Sequence, residues 1–372
     1  MSKAWIRGMG LKTGLGLGVR RNFSAMEAGL TGIETFPTNL SVSLWPEQRE
    51  LWHRENCLGC SKIFDAVVDE VLQEAVPANF DWSNPRTCLW VATTKDNIFN
   101  LERDLRLGHQ AQNDARLGAT ASRLATRHSL RGHVQTISTA CASGSIALGL
   151  AAEAIRQGRC DQAIVLGVDA VSSFILEGFA SFHAISATPC RPFDRDRNGL
   201  SPGSAAAAMV LSNTPGDAPV YVGAWASSND ANHVTGPSRD GLPLALCLNK
   251  VFAQDGEKPH CILAHGTGTP YNDAMEAKAF LKVYEDAQPQ LCCIKGNVGH
   301  CMGAAGVVEG VMAAEMILQN RVLPIWGLLN CEDPQLNPVL IAGQTLKGKG
   351  VVSCNSGFGG INAAVSFWRA EG

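Results

Sequence analysis

The sequence predicts an α/β fold built from two similar halves. Three observations point there. Strand-like apolar runs alternate with helix-like segments along the chain. The strand-like runs fall into two series of similar order. Two helix-like segments, residues 142–157 and 304–319, both open in Gly/Ala-rich sequence and hold matching places in the two series. Small residues there let backbones pack closely.

The first series of candidate strands is 4–8, 88–93, 134–139, 163–167 and 206–211. The second is 220–224, 261–264, 291–295, 351–354 and 363–368. Candidate helices are 46–72, 112–127, 142–157, 242–252, 273–284 and 304–319. Gly158 reads as a helix C-cap, with Arg156 suited to the negative end of that helix. The turn-rich stretch from Ser212 to Pro219 is the expected break. This divides the chain into an N-terminal half, 1–214, and a C-terminal half, 215–372. Stretches 30–45 and 95–107 are less regular and read as pocket caps, dimer surface or plain loops.

Composition narrows the function classes. The chain has 372 residues, 45% hydrophobic and 17% charged, which describes a globular protein with a sizeable core. A net charge of −3 gives no sign of nucleic-acid binding. One basic cluster (Arg103, Arg106, Arg116, Arg123, Arg127, Arg131) reads either as a patch for an acidic partner or as a solvated helix face. The 13 cysteines are odd in number and irregularly spaced, and several lie in apolar runs. Residues 1–7 lead into no long apolar stretch. Reduced thiols in a cytoplasmic protein are therefore expected. Cys57-Leu-Gly-Cys60 has the spacing of half a zinc site or of a redox pair, but no second such pair and no paired histidines complete a zinc site. No uncharged apolar run approaches a membrane span.

Four motifs carry chemistry. Cys141 sits in Thr139-Ala-Cys141-Ala-Ser-Gly-Ser145, between an apolar strand and a small-residue helix. A thiol on such a turn lies at a positive helix end, which favours thiolate. The alternative is an inert buried cysteine. Cys261-Ile-Leu-Ala-His265-Gly-Thr267-Gly-Thr269-Pro270 is a strand ending in a histidine and a tight turn. Lys295-Gly-Asn-Val-Gly-His300 precedes the Gly/Ala-rich helix that carries Glu309. Asn355-Ser-Gly357-Phe358-Gly359-Gly360-Ile361-Asn362 is a glycine-rich turn between strands. His300 lies just before a helix, where the dipole disfavours imidazolium, so it is expected to be a neutral donor.

Taken together, these motifs resemble the Cys-His-His branch of the β-ketoacyl synthases, the condensing enzymes of fatty acid and polyketide assembly. Cys190-Arg-Pro-Phe-Asp194-Arg-Asp196 and Ser227-Ser-Asn-Asp-Ala-Asn-His233 agree with it. The resemblance implies a thiolase-like fold, two duplicated halves stacked as an αβαβα sandwich. It implies acyl transfer to Cys141 and then decarboxylative condensation with a malonyl group on an acyl carrier protein. His265 and His300 would bind the malonyl thioester carbonyl. Lys295 would set the local field among Asp273, Glu276 and Glu309. Thr267 and Thr269 would bond the phosphopantetheine arm. The N–H groups of Cys141 and Phe358 would form the oxyanion hole, with Phe358 as a gate. No metal or cofactor beyond the carrier's phosphopantetheine is implied. A homodimer, or a heterodimer with a related subunit, is.

Some positions depart from the family pattern. Ser204 stands where a glutamate is usual, Ile361 replaces a threonine, and Ser356 replaces an aromatic. These favour a specialised fatty acid, polyketide or polyene pathway. Two rivals remain. One is a chain-length-factor-like partner subunit, which usually lacks the cysteine. The other is a degradative thiolase, which would need a second cysteine, for which Cys354 is the nearest candidate.

Overall fold

A computed structural model describes residues 3–36, 40–55, 57–110, 112–217, 219–285 and 288–370. In chain order its N-terminal elements are β1 (Ala4–Thr13), β2 (Gly16–Leu17), α1 (Val19–Glu27), β3 (Ile33–Phe36), β4 (Leu40–Ser43), α2 (Pro46–Glu55) and α3 (Ser61–Ala75). There follow β5 (Thr87–Ala92), α4 (Ile98–Arg106), α5 (Ala119–Arg127), β6 (Val134–Ile137), α6 (Ser143–Arg156), β7 (Gln162–Asp169), α7 (Ser173–Ser181) and β8 (Ala205–Ser212). The remainder is β9 (Val220–Asn229), α8 (Leu242–Asp255), β10 (Cys261–Leu263), α9 (Pro270–Tyr284), β11 (Gln290–Cys292), α10 (Lys295–Val298), α11 (Ala305–Gln319), β12 (Gly350–Gly357) and β13 (Ile361–Arg369). All ten strands expected from the sequence are present.

The strands form two sets with the same wiring, β6-β5-β7-β8-β1 and β11-β10-β12-β13-β9. In each set the second strand along the chain lies parallel between the third and the fourth. The fourth and fifth pair antiparallel, and the fifth pairs antiparallel with the first. The sets meet edge to edge where Ala4 and Trp5 pair with Val222 and Tyr221.

Side-chain alternation then builds the layers, because successive residues of a strand face opposite ways. On β8, Ala205, Ala207, Met209 and Leu211 face the central layer, while Ala206, Ala208 and Val210 face the outer N-terminal layer with α3 and α5. On β10, Cys261 and Leu263 face the centre, while Ile262 and its neighbour Ala264 face the outer C-terminal layer with α8 and α9. Helices α6 and α11 fill the centre, packed on strands of both sets. The result is an αβαβα sandwich. Strands buried on both faces read as continuous apolar runs, which is why the sequence displays them.

The two central helices touch at their N-termini through glycines. A Cβ on Gly144 would lie 2.6 Å from the Val307 nitrogen, and one on Gly306 would lie 2.2 Å from the Ser145 nitrogen. Only glycine at both positions permits that approach. It brings the start of α6, which follows Cys141, against the start of α11, which follows His300. Residues 302–319 are long and apolar enough to cross a membrane, but 89% of that stretch is buried inside the protein.

Several sequence expectations need correction. The helix expected over 46–72 is two, α2 and α3, broken around Gly59 at φ 152°. The helix expected over 112–127 begins only at Ala119, after a single 3-10 turn. Stretch 95–107 contains α4, and stretch 30–45 contains the antiparallel pair β3 and β4, with residues 37–39 outside the described residues. Of the basic cluster, Arg103, Arg106, Arg123 and Arg127 each pair with a nearby carboxylate, as a solvated face would. The described cysteines are all free.

Candidate active site

Cys141 lies on the turn between β6 and α6. Ala140 before it holds a left-handed φ of 50°, a backbone strain characteristic of functional turns. Ser143 Oγ accepts the Thr139 N–H at 2.8 Å and donates to the Ala140 carbonyl at 2.6 Å, closing the turn. The end of β12 lies against it: a Cβ on Gly357 would meet the Cys141 nitrogen at 3.0 Å.

His265 follows β10 and His300 follows α10. The backbone of His300 is sewn to the strand-like segment before β8, donating to Ser201 at 2.6 Å and accepting from Gly203 at 2.9 Å. His300 Nε2 lies 3.0 Å from Cys141 Sγ. One ring nitrogen from each histidine and the cysteine sulfur all lie within 4.8 Å of one another. The imidazoles meet edge to face at 5.1 Å. Three distant stretches thus converge on one point, as the resemblance implies.

Burial sets the electrostatics. It holds both imidazoles well below the ordinary histidine value, and the Lys295 charge pushes the same way. Both rings are therefore neutral. Burial also pushes the Cys141 thiol up to about 12, against the pull of Lys295 and a hydrogen bond from the Phe358 N–H. The expectation that the helix end would favour thiolate is overridden in the resting site. His300 Nδ1 accepts the Met302 N–H at 3.2 Å, so its proton is on Nε2, facing the sulfur. The sulfur thus meets two donors, which stabilise negative charge when it forms.

Lys295 opens α10 rather than ending a strand, and its Nζ pairs with Glu309 Oε1, both side chains buried. Burial alone would depress Lys295, but Glu309, Cys293 and Glu276 carry it above the ordinary lysine value. Of the three acids expected around it, only Glu309 touches it. Glu276 instead accepts the N–H groups of His265 and Gly266, both at 2.7 Å. Asp273 accepts from Phe193 at 2.8 Å and Thr267 at 3.0 Å. These two carboxylates shape the turn that presents His265. Thr267 and Thr269 share a 2.8 Å hydrogen bond and face the same cavity as the triad.

Two cavities meet at the cysteine. One, of about 480 Å³, is lined by both histidines, Thr267 and Thr269. The other, of about 470 Å³, is largely apolar, with Phe174, Ile175 and Met302 in its wall. Cys141, Phe179, Phe182 and Phe358 line both. Phe358 packs edge-on against Phe179 and Phe182, so this aromatic trio is the partition. Cys354 lines neither cavity. Its sulfur is buried in the outer layer, 3.6 Å from Glu276. Ser204 is fully buried and satisfied, its Oγ accepting the Val171 N–H at 2.8 Å.

Two further residues of the site, Asp169 and Asn355, carry no assignment from the sequence alone. Asp169 ends β7 and accepts from Thr93 Oγ1 at 2.9 Å, the Thr94 N–H at 2.9 Å and the Gly303 N–H at 2.7 Å. It ties the loop beside the apolar cavity to the turn after His300. Burial pushes its carboxyl up to about 6. Its signal was a polar residue closing an apolar strand, at the strand end where sites cluster. Asn355 bonds His265 Nδ1 at 3.1 Å and Glu309 Oε2 at 2.7 Å. It stood inside a recognised motif, but only the fold shows what it touches.

Comparison with known proteins agrees with this geometry. Residues 66–215 match the family model for the beta-ketoacyl synthase N-terminal domain, and residues 220–328 match that for the C-terminal domain. A Streptomyces halstedii protein named as a polyketide beta-ketoacyl synthase is 34% identical over 267 residues, 66% of this chain and 63% of its own length. A 3-oxoacyl-acyl-carrier-protein synthase 2 of Vibrio cholerae is 32% identical over 270 residues, 67% of this chain and 65% of its own length. The matched region therefore spans a little under two thirds of these relatives. The ishigamide ketosynthase/chain length factor structure superposes with a TM-score of 0.86 at 25% identity, covering 100% of both chains. The fold is thiolase-like, and the chain belongs to the β-ketoacyl synthase family.

Proposed function

We propose that this protein is a β-ketoacyl-acyl-carrier-protein synthase. The observation that carries this reading is the placement of Cys141, with two neutral imidazoles, at the junction of two cavities. A condensing enzyme must hold one acyl group while admitting a second thioester, and a single shared opening cannot do both.

In the first half-reaction the Cys141 sulfur attacks the carrier thioester. The new C–S bond forms, the carrier sulfur leaves, and the proton lost by Cys141 ends on the carrier thiol. The Cys141 and Phe358 N–H groups hold the tetrahedral oxyanion. The acyl chain lies in the apolar cavity, past the Phe179–Phe182–Phe358 partition. In the second half-reaction a malonyl thioester enters past Thr267 and Thr269. Its carbonyl accepts from His265 and His300 as carbon dioxide departs, because hydrogen-bond donors stabilise the enolate. The enolate carbon attacks the acyl-enzyme carbonyl and expels the Cys141 thiolate. Lys295, held by Glu309, supplies a fixed positive charge beside developing negative charge.

Residues 1–214 would then supply the nucleophile, and residues 215–372 both histidines. The partners are an acyl carrier protein and a second ketosynthase-like subunit, in the cytoplasm. No step needs a metal or redox cofactor. Ser204, Ile361 and Ser356 favour a specialised pathway over housekeeping elongation. A second reading, a chain-length-factor-like subunit, draws support from the likeness to the ishigamide ketosynthase/chain length factor. Retention of Cys141 with both histidines weighs against it. A degradative thiolase reading would need a second cysteine, and among the described residues neither cavity has one beside Cys141.

Intact-protein mass spectrometry separates these readings. Incubation with acyl-carrier thioesters, alone and with candidate partner subunits, should give an acyl adduct on Cys141 that malonyl-carrier then discharges as a β-ketoacyl product. An unmodified Cys141 under every pairing would exclude the synthase.

A further inference from the structure

A cysteine and two histidines within 4.8 Å have the residue types and spacing of a three-ligand zinc centre. The outer hydrogen bonds, however, run the wrong way for one. A histidine that binds metal through one ring nitrogen donates its other N–H to an acceptor. Here the other nitrogen of each ring faces a donor. His300 Nδ1 faces the Met302 N–H at 3.2 Å, on a residue held at φ 46°. His265 Nδ1 faces Nδ2 of Asn355 at 3.1 Å.

A carboxamide can be turned over, so the Asn355 orientation must follow from its neighbours. Three surround it. Glu309 Oε2 lies 2.7 Å from Nδ2, and the other Glu309 oxygen takes the Lys295 ammonium. The Ser145 hydroxyl donates to Oδ1. Reversing the amide would set its oxygen against a carboxylate oxygen, acceptor against acceptor. The nitrogen must therefore face Glu309, and its second N–H is left for His265. A ring nitrogen that accepts carries no proton, so the one proton of a neutral His265 is on Nε2.

We infer that Asn355 is a positioning residue that fixes His265 in its Nε2–H form, making the Cys141–His265–His300 cluster a donor site and barring it from holding a divalent metal. The benefit of a donor at that position rests on the condensing reading, but the tautomer itself does not. Asn355 bridges the His265 ring to the Lys295–Glu309 pair, so one amide couples the fixed charge to the donor.

The test is nitrogen NMR of the full chain labelled with 15N-histidine. Long-range proton correlations distinguish a protonated from a bare ring nitrogen. In the wild type, His265 should be protonated at Nε2 and bare at Nδ1. In Asn355→Ala the Nδ1–H form should appear, because water can then accept from it. Zinc affinity that depends on Cys141 should rise by about 10-fold or more in that variant, the scale of outer-shell effects on metal sites. It is read as the difference between Asn355→Ala and Asn355→Ala/Cys141→Ala. A wild-type His265 protonated at Nδ1 would overturn the inference, and that measurement needs no variant to fold. So would Cys141-dependent zinc binding as tight in the wild type as in Asn355→Ala. Neither readout uses condensing activity, so failure of the proposed function would leave the test intact.

Discussion

His300 Nε2 lies 3.0 Å from Cys141 Sγ, although 159 positions separate the two in sequence. The two glycines at the crossing of α6 and α11 make that contact possible, since the Cys141 turn runs into α6 and the His300 turn runs into α11.

Gly306→Ala tests the crossing. The added Cβ would lie 2.2 Å from the Ser145 backbone nitrogen, which has no room to move within a helix packed on both sheets. Forcing the helices apart should cost about 1–3 kcal/mol, the usual scale for overpacking. Urea denaturation reads the loss. Acylation of Cys141 should fall as well, because the shift displaces the start of α6. Unchanged stability would mean that the close approach is not required.

Lys295→Met tests the buried ion pair. It strands Glu309 without its cation where water is excluded, and breaking such a pair costs about 3–5 kcal/mol. Lys295→Met/Glu309→Gln should recover more than half of that, since no lone charge remains buried. If the double variant were no more stable than the single one, the cost would lie in packing rather than charge.

The cysteine makes a prediction in pH. The thiolate is the reactive form, and burial pushes its pKa up to about 12. Below that value each unit of pH multiplies the thiolate fraction by about ten. Alkylation of Cys141 by iodoacetamide, followed by peptide mass spectrometry, should therefore climb through pH 7–9 without levelling. A plateau near neutrality would show a thiolate already formed in the resting site.

Much of this was legible in the chain. Strands buried on both faces, such as β7 and β8, betray themselves as unbroken apolar runs, and α6 and α11 as long Gly/Ala-rich ones. His265 lies directly after the apolar strand β10 and His300 just before the Gly/Ala-rich α11, so their motifs were visible. What escaped depended on contact across the fold. Helix α1 carries two arginines in its first turn and buries only Val19, Asn22, Phe23 and Met26, too thin a stripe to stand out. Helix α4 was hidden in a polar stretch for the same reason. Asp273 and Glu276 were expected around Lys295, yet they satisfy backbone N–H groups of the turns around the site, a role that no spacing encodes. The thiolate expectation failed because a helix end is a weaker influence than complete burial. Asn355 and Asp169 gained their roles only when β12, β10 and α11, or β5, β7 and the His300 turn, came together.

In the proposed reaction two neutral imidazoles donate to a malonyl thioester beside a separate sulfur nucleophile. Release of labelled carbon dioxide from malonyl-carrier by His300→Ala, measured alongside acyl loading of Cys141 in the same variant, tests it most directly. The account predicts that release falls by about 100-fold or more, the scale of losing one oxyanion donor, while Cys141 still takes up its acyl group. Carbon dioxide release at the wild-type rate would contradict it.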